Sequence, residues 1–183
     1  SPYAYLAIEP TAALVRDFHV EIDWLPYTLD IPSYLGSARV GKRDNVPKAG
    51  SAKRSPAQWN AVRYAYMDCR RYGTRRQPEP LTIFGTEKIW NSSLAGIAML
   101  WVRRLASAPG LSHAERVAIW SAFNSSLWPA FWRRELDIEE PTVLEGVIVA
   151  AGLDSSGFVE FCADGGGGRR EYEAVQRQAV EER

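Results

Sequence analysis

The 183-residue chain is 46% hydrophobic, enough for one ordinary core plus an insertion or for two small domains sharing an interface, so disorder is not the default. Its 22 basic residues balance 22 acidic ones, which gives no electrostatic reason to expect nucleic acid or an anionic membrane as a partner. The most apolar stretch, Leu94 to Leu105, is interrupted by Arg103 and Arg104 and falls short of the roughly 18 apolar residues that span a bilayer, so it reads as a buried helix.

In chain order, Ser1 caps a helix with Pro2 at its first position, where proline's missing N–H costs nothing. Tyr5, Leu6, Ala13 and Leu14 are expected to face inward from Tyr3 to Leu14. Asp17 to Leu29 contains the alternation His19 to Leu25, which places Val20, Ile22 and Trp24 on one face and reads as a β-strand. Pro32 to Pro56 mixes glycine and proline with Lys42, Arg43, Lys48, Lys53 and Arg54, as a long exposed loop does. A helix then starts at Ser55-Pro56, carries Trp59, Val62, Tyr66 and Cys69 at spacings of three and four, and is expected to end at Tyr72-Gly73.

Trp90, Leu94, Ile97, Ala98, Trp101 and Leu105 form the stripe of the next helix, closed by Pro109-Gly110. Ser112 to Glu115 has capping-box spacing and opens a helix that buries Val117, Trp120, Phe123, Leu127 and Phe131, with a kink expected at Pro129. Pro141 begins another, with Leu144, Val147 and Ile148 inward and Gly152 just past its end. A short helix within Asp154 to Cys162, a flexible Gly165 to Gly168 run and a charged helix from Arg169 complete the chain. One strand cannot make a sheet, so the order implies strands before Ser1 and after Arg183, or a partner chain. The chain is therefore expected to be cut at both ends and marginally stable alone.

Chemistry points to the first helix. A helix N-terminus offers free N–H groups and the positive end of a dipole, which stabilise a thiolate or carboxylate. Thioredoxin-type redox enzymes place C-x-x-C there; this chain has Ser1-Pro2-Tyr3-Ala4, and its two cysteines, Cys69 and Cys162, are too far apart for that motif or for a cysteine zinc site. Both are expected as buried thiols, and two histidines make a histidine-rich metal site unexpected. A Ser1 hydroxyl can still donate a hydrogen bond to a thiolate brought by a cosubstrate.

The run Ser1-Pro2-Tyr3-Ala4-Tyr5-Leu6-Ala7 resembles the S-P-[YF]-S-[YW]-L segment of the DsbA-like group that comprises kappa-class glutathione transferases and 2-hydroxychromene-2-carboxylate isomerases. Downstream, Tyr64 to Asp68 is similar to that family's Y-x-x-x-D, Asn91-Ser92 falls near its N/G-S-L element, and Trp132 to Ile138 resembles its W-x-R-x-x-D-I. The resemblance implies an α/β thioredoxin-like fold with a large all-helical insertion: a thioredoxin-like part over 1–54, the insertion over 55–164, and a return helix over 165–183, the cis-proline segment lying beyond Arg183. It implies glutathione as cofactor, Ser1 facing its sulfur, and Asp68 near its site. Where the family has a lysine this chain has Asn60-Ala61, so a basic contact to glutathione falls to Arg63 or to the loop with Lys53 and Arg54.

The expected activity is thus a glutathione-dependent isomerase or transferase acting on a small aromatic or apolar electrophile, in the cytoplasm, with a homodimer left open. The rivals are a disulfide oxidoreductase, which the missing cysteine pair argues against, and a redox-inactive module that binds a partner through its helices.

Overall fold

A computed structural model describes residues 1–29, 54–75, 80–86 and 88–181. Among them are seven helices: α1 (Pro2–Phe18), α2 (Pro56–Arg75), α3 (Ser93–Ala106), α4 (His113–Trp132), α5 (Pro141–Ala150), α6 (Phe158–Cys162) and α7 (Gly167–Glu181). No strand occurs among the described residues, which corrects the expected α/β thioredoxin-like class to all-helical. The basic loop expected from Pro32 to Pro56 falls outside them except for its last three positions.

The strand expected over Asp17 to Leu29 is the clearest correction. Asp17 and Phe18 finish α1, His19 ends it in the left-handed region at φ 54°, and 19–29 is irregular chain laid over the helical body. The alternation is used, but without a ladder. Trp24 packs on Trp120 with centroids 6.0 Å apart, while Asp23 binds Arg103 through two hydrogen bonds of 2.7 and 2.8 Å and Glu21 pairs with Arg116. Gln176 of α7 satisfies the backbone that a neighbouring strand would otherwise pair, donating to the Pro26 carbonyl at 2.8 Å and accepting the Thr28 N–H at 2.9 Å. A period of two therefore fits a segment whose Ile22 and Trp24 are half-covered by helices, with Val20 left exposed, and whose acidic side chains meet arginines.

The main core gathers α3 to α7. Ile97, Leu100 and Val102 of α3, Phe123 of α4, Leu144 and Ile148 of α5 and Phe158 of α6 are almost wholly buried. Trp120 and Leu127 join them, whereas Trp90, Leu94 and Trp101 are only partly covered. Burial of Leu100 and Val102 as well as Ile97 and Ala98 means that α3 is enclosed on more than one side, beyond the single stripe its periodicity suggests. The capping box at Ser112 forms, with Ser112 accepting from the Glu115 N–H and Glu115 accepting from the Ser112 N–H. Helix α4 then continues through Pro129 to Trp132. Gly152 follows α5 at φ 71°, and the Leu153 N–H closes on the Ile148 carbonyl at 3.1 Å.

A smaller cluster joins α1 to α2: Tyr5, Leu6, Cys69, Ile83 and Trp132. Tyr5 and Leu6 face inward as expected, but Leu14 is 48% exposed, so the inner stripe of α1 covers only its first turns. Helix α2 runs past Gly73 to Arg75, because Gly73 is buried within it against Leu81 and does not terminate it. The glycine run also differs from its expected flexibility: Gly167 and Gly168 open α7, and the lack of a side chain there permits close packing.

A Cβ on Gly168 would lie 2.6 Å from the Phe161 carbonyl oxygen and 2.7 Å from Ile97 Cγ2, while one on Gly146 of α5 would meet nothing. Gly168→Ala should therefore cost about 1–3 kcal/mol through overpacking, and Gly146→Ala should gain about 0.5–1 kcal/mol from helix propensity. Urea unfolding of the two variants checks the opposite signs.

Candidate functional site

Two hollows flank the 81–86 strip. The larger is a groove of about 690 Å³ lined by Arg54, Pro56, Trp59, Asn60, Val62, Arg63, Tyr66, Arg70 and Gly85. Trp59, Val62, Arg63, Tyr66 and Arg70 recur at spacings of three and four, so one face of α2 builds most of its wall. Arg54 stacks over Trp59 at 5.0 Å and Arg70 over Tyr66 at 5.9 Å. Arg70 Nε also donates to the Ile83 carbonyl at 3.0 Å, and the Tyr66 and Thr86 hydroxyls lie 3.2 Å apart. Three guanidinium groups thus share a wall on which, among the described residues, no carboxylate stands. Such a surface attracts anions, and its two rings give an organic anion something apolar to lie against.

The residues expected to hold a cosubstrate divide between two faces of α2. Arg63 lines the groove. Asp68 follows the groove residue Tyr66 by two positions, a rotation of about 200° on an α-helix, and faces α1, where it accepts a hydrogen bond of 3.0 Å from Tyr3 Oη. Partial burial and that bond hold the Tyr3 phenol protonated well above its ordinary range. Ser1 begins α1 with an exposed side chain that makes no capping hydrogen bond, so its hydroxyl is not used by the helix. The structure therefore brings the start of α1 to Asp68 and sets Arg63 apart from both.

The smaller hollow, of about 210 Å³, is lined by Phe84, Gly85, Thr86, Trp90, Phe131, Arg134, Glu135, Leu136 and Asp137. Gly85 belongs to both walls. Arg134, in the left-handed region at φ 64°, donates from Nε to the Gly85 carbonyl at 2.8 Å and lies over Phe84 at 5.7 Å. Nearby, the Glu139 carboxylate takes the Lys88 ammonium and, at 2.7 Å, the Asn91 N–H. Burial works against its charge, but these donors prevail and hold its pKa below the usual carboxylate range.

The sequence reading did not find Trp59, Tyr66 and Arg70 as a binding surface, although cations interleaved with rings along one helical face were a usable signal. For the smaller hollow the Trp132 to Ile138 motif marked the stretch that supplies Arg134 to Asp137, but nothing in it pointed to Phe84, Gly85, Thr86 and Trp90 as the facing wall. Among the described residues no group of three or more His, Cys, Asp or Glu is placed to hold a metal, and no helix is long and apolar enough to cross a membrane. No protein-family model matches the chain, and neither a curated protein nor a solved structure matches it. The likeness to the DsbA-like group therefore rests on the motifs alone.

Cys69 and Cys162 are both free and buried. Burial raises the Cys69 thiol and pushes Cys162 from 9.0 up to about 11. Native protein at pH 8 should leave both thiols unreacted with an aromatic disulfide reagent that labels them after unfolding. Between pH 9 and 11 the unfolded chain releases the Cys162 proton while the folded chain retains it, so stability should fall as pH rises through that window. Comparing the slope of unfolding midpoint against pH with that of Cys162→Val isolates this contribution, and the variant should show the shallower decline.

Proposed function

We propose that the chain is a glutathione-dependent isomerase or transferase, in which the α2 groove holds the cosubstrate's carboxylates and its thiol arm reaches past the edge of α2 to the face covered by α1, where Ser1 donates a hydrogen bond to the thiolate. The observation that carries this reading is the groove wall, with Arg54, Arg63 and Arg70 around Trp59 and Tyr66. Glutathione carries two carboxylates and one ammonium, so a cationic wall favours it, and the Arg63 fork can meet a carboxylate with paired hydrogen bonds. A volume of about 690 Å³ lies within the range of small-molecule sites, roughly 300–1,000 Å³.

Ser1 does not ionise, so its part is donation to an anion already formed. The thiolate adds to an electrophilic carbon of the second substrate. In an isomerase, bond rotation and expulsion of the same thiolate regenerate glutathione; in a transferase the protonated adduct leaves as product. Asp68 acts in this scheme as a positioning residue, holding the first turn of α1 against α2 through Tyr3.

Calorimetric titration with glutathione should show binding, and Arg63→Ala should weaken it on the order of tenfold to a hundredfold, as loss of a charged hydrogen bond worth about 1.5–3 kcal/mol requires. Ser1→Ala should leave that affinity nearly unchanged, raise the pKa of the bound thiol and cut turnover tenfold to a hundredfold. Absence of glutathione binding, or equal affinity in Arg63→Ala, would overturn the reading and leave a binding module without this cofactor.

A further inference from the structure

We infer that the smaller hollow is a second binding site, for a small neutral aromatic molecule bearing a hydrogen-bond donor. Its apolar walls are the exposed Phe84 and the half-buried Trp90, Phe131 and Leu136, with Trp90 and Phe131 meeting edge to face at 5.8 Å and 73°. A closed apolar cavity of about 150 Å³ accepts benzene; this hollow, open on one side and polar at its rim, measures about 210 Å³, so a single ring with a small substituent fits while most drug-sized molecules do not.

The charges at the rim decide what kind of ring. Arg134 is bound to the Gly85 carbonyl, and Glu135 receives two hydrogen bonds of 2.8 Å from Arg133. Asp137 accepts the Glu139 N–H through Oδ1 at 3.0 Å, and its other oxygen accepts from no described residue. That oxygen is the acceptor that a ligand O–H or N–H would meet. Two carboxylates against one guanidinium disfavour an anion. A cation fares no better, since Lys88 already sits 4.1 Å from the Trp90 ring centre and Arg134 covers Phe84. A neutral donor such as a phenol remains. The site does not depend on what fills the groove, although the shared Gly85 wall makes the two occupants neighbours.

The test is the full chain titrated with phenol, toluene, benzoate and tetramethylammonium, followed by saturation-transfer NMR and by the Trp90 indole resonance. Phenol should bind and move that resonance, several-fold more tightly than toluene and at least tenfold more tightly than either ion. Leu136→Trp, which fills the hollow, should weaken phenol at least tenfold. Asp137→Asn, which keeps an acceptor for the Glu139 N–H, should reduce phenol to the affinity of toluene and improve benzoate; it carries the test if the tryptophan variant does not fold. Arg63→Ala should leave phenol binding unchanged, which separates this site from the groove. No phenol binding, an ion bound as tightly as phenol, or phenol affinity untouched by both cavity variants would overturn the assignment.

Discussion

Everything that positions the two hollows passes through the last turn and a half of α4. Trp128 and Phe131 pack against both the main core and the smaller α1–α2 cluster, and Trp132 lies inside the latter. Tyr5 stacks parallel to Trp128 at 6.0 Å, Tyr66 meets Trp132 edge-on at 6.2 Å, and Phe131 meets both Trp90 and Trp132. One side of this aromatic joint thus fixes α1 and α2, and the other fixes the approach to α3. Trp132 is only 2% exposed and its indole N–H finds no acceptor among the described residues. An unmet donor costs about 1–3 kcal/mol, whereas burying 150–250 Å² of ring contributes about 4–6 kcal/mol at 25 cal/mol/Å². The packing wins.

The strip between the hollows is held by the same joint. Its Leu81 N–H bonds the Gly73 carbonyl of α2 at 2.9 Å, and its Phe84 N–H bonds the Trp132 carbonyl of α4 at 3.0 Å. Ile83, between these two anchors, is buried with Cys69. A short irregular segment pinned at both ends can present different atoms to its two sides: Arg70 donates to the Ile83 carbonyl beside the groove, and Arg134 donates to the Gly85 carbonyl beside the smaller hollow. The left-handed conformation of Arg134 is costly for a residue with a side chain, and the guanidinium bond to Gly85 with its stacking on Phe84 is what that conformation places within reach.

The sequence made the amphipathic helices legible, because their burial repeats locally. Leu144, Val147 and Ile148 are inward as their spacing requires, and the Ser112–Glu115 box is a contact between near neighbours. The 19–25 alternation misled because period two reports which side chains are covered and says nothing of the covering partner; here Trp120 and two arginines supply what a sheet would have supplied. The glycines after Cys162 misled for a related reason: a missing side chain signals freedom or close approach equally well, and only the position of Phe161 decides between them. In the sequence Arg63 is a stand-in for the lysine that the DsbA-like group has where this chain carries Asn60-Ala61, but its separation from Asp68 follows from which face of α2 the first helix covers. That is a tertiary fact.

The central claim is that 19–29 lies as irregular chain, with no strand partner among the described residues, on a helical body whose parts meet at the end of α4. Nuclear Overhauser contacts around Trp24 in the isotopically labelled chain test it most directly. The account predicts contacts from the Trp24 indole to the Trp120 ring and from the Thr28 amide to the Gln176 side chain, with no Hα–Hα contacts linking Val20 to Trp24 with another extended segment. Cross-strand Hα–Hα contacts from Val20, Ile22 or Trp24, with the Trp24–Trp120 contacts missing, would contradict it.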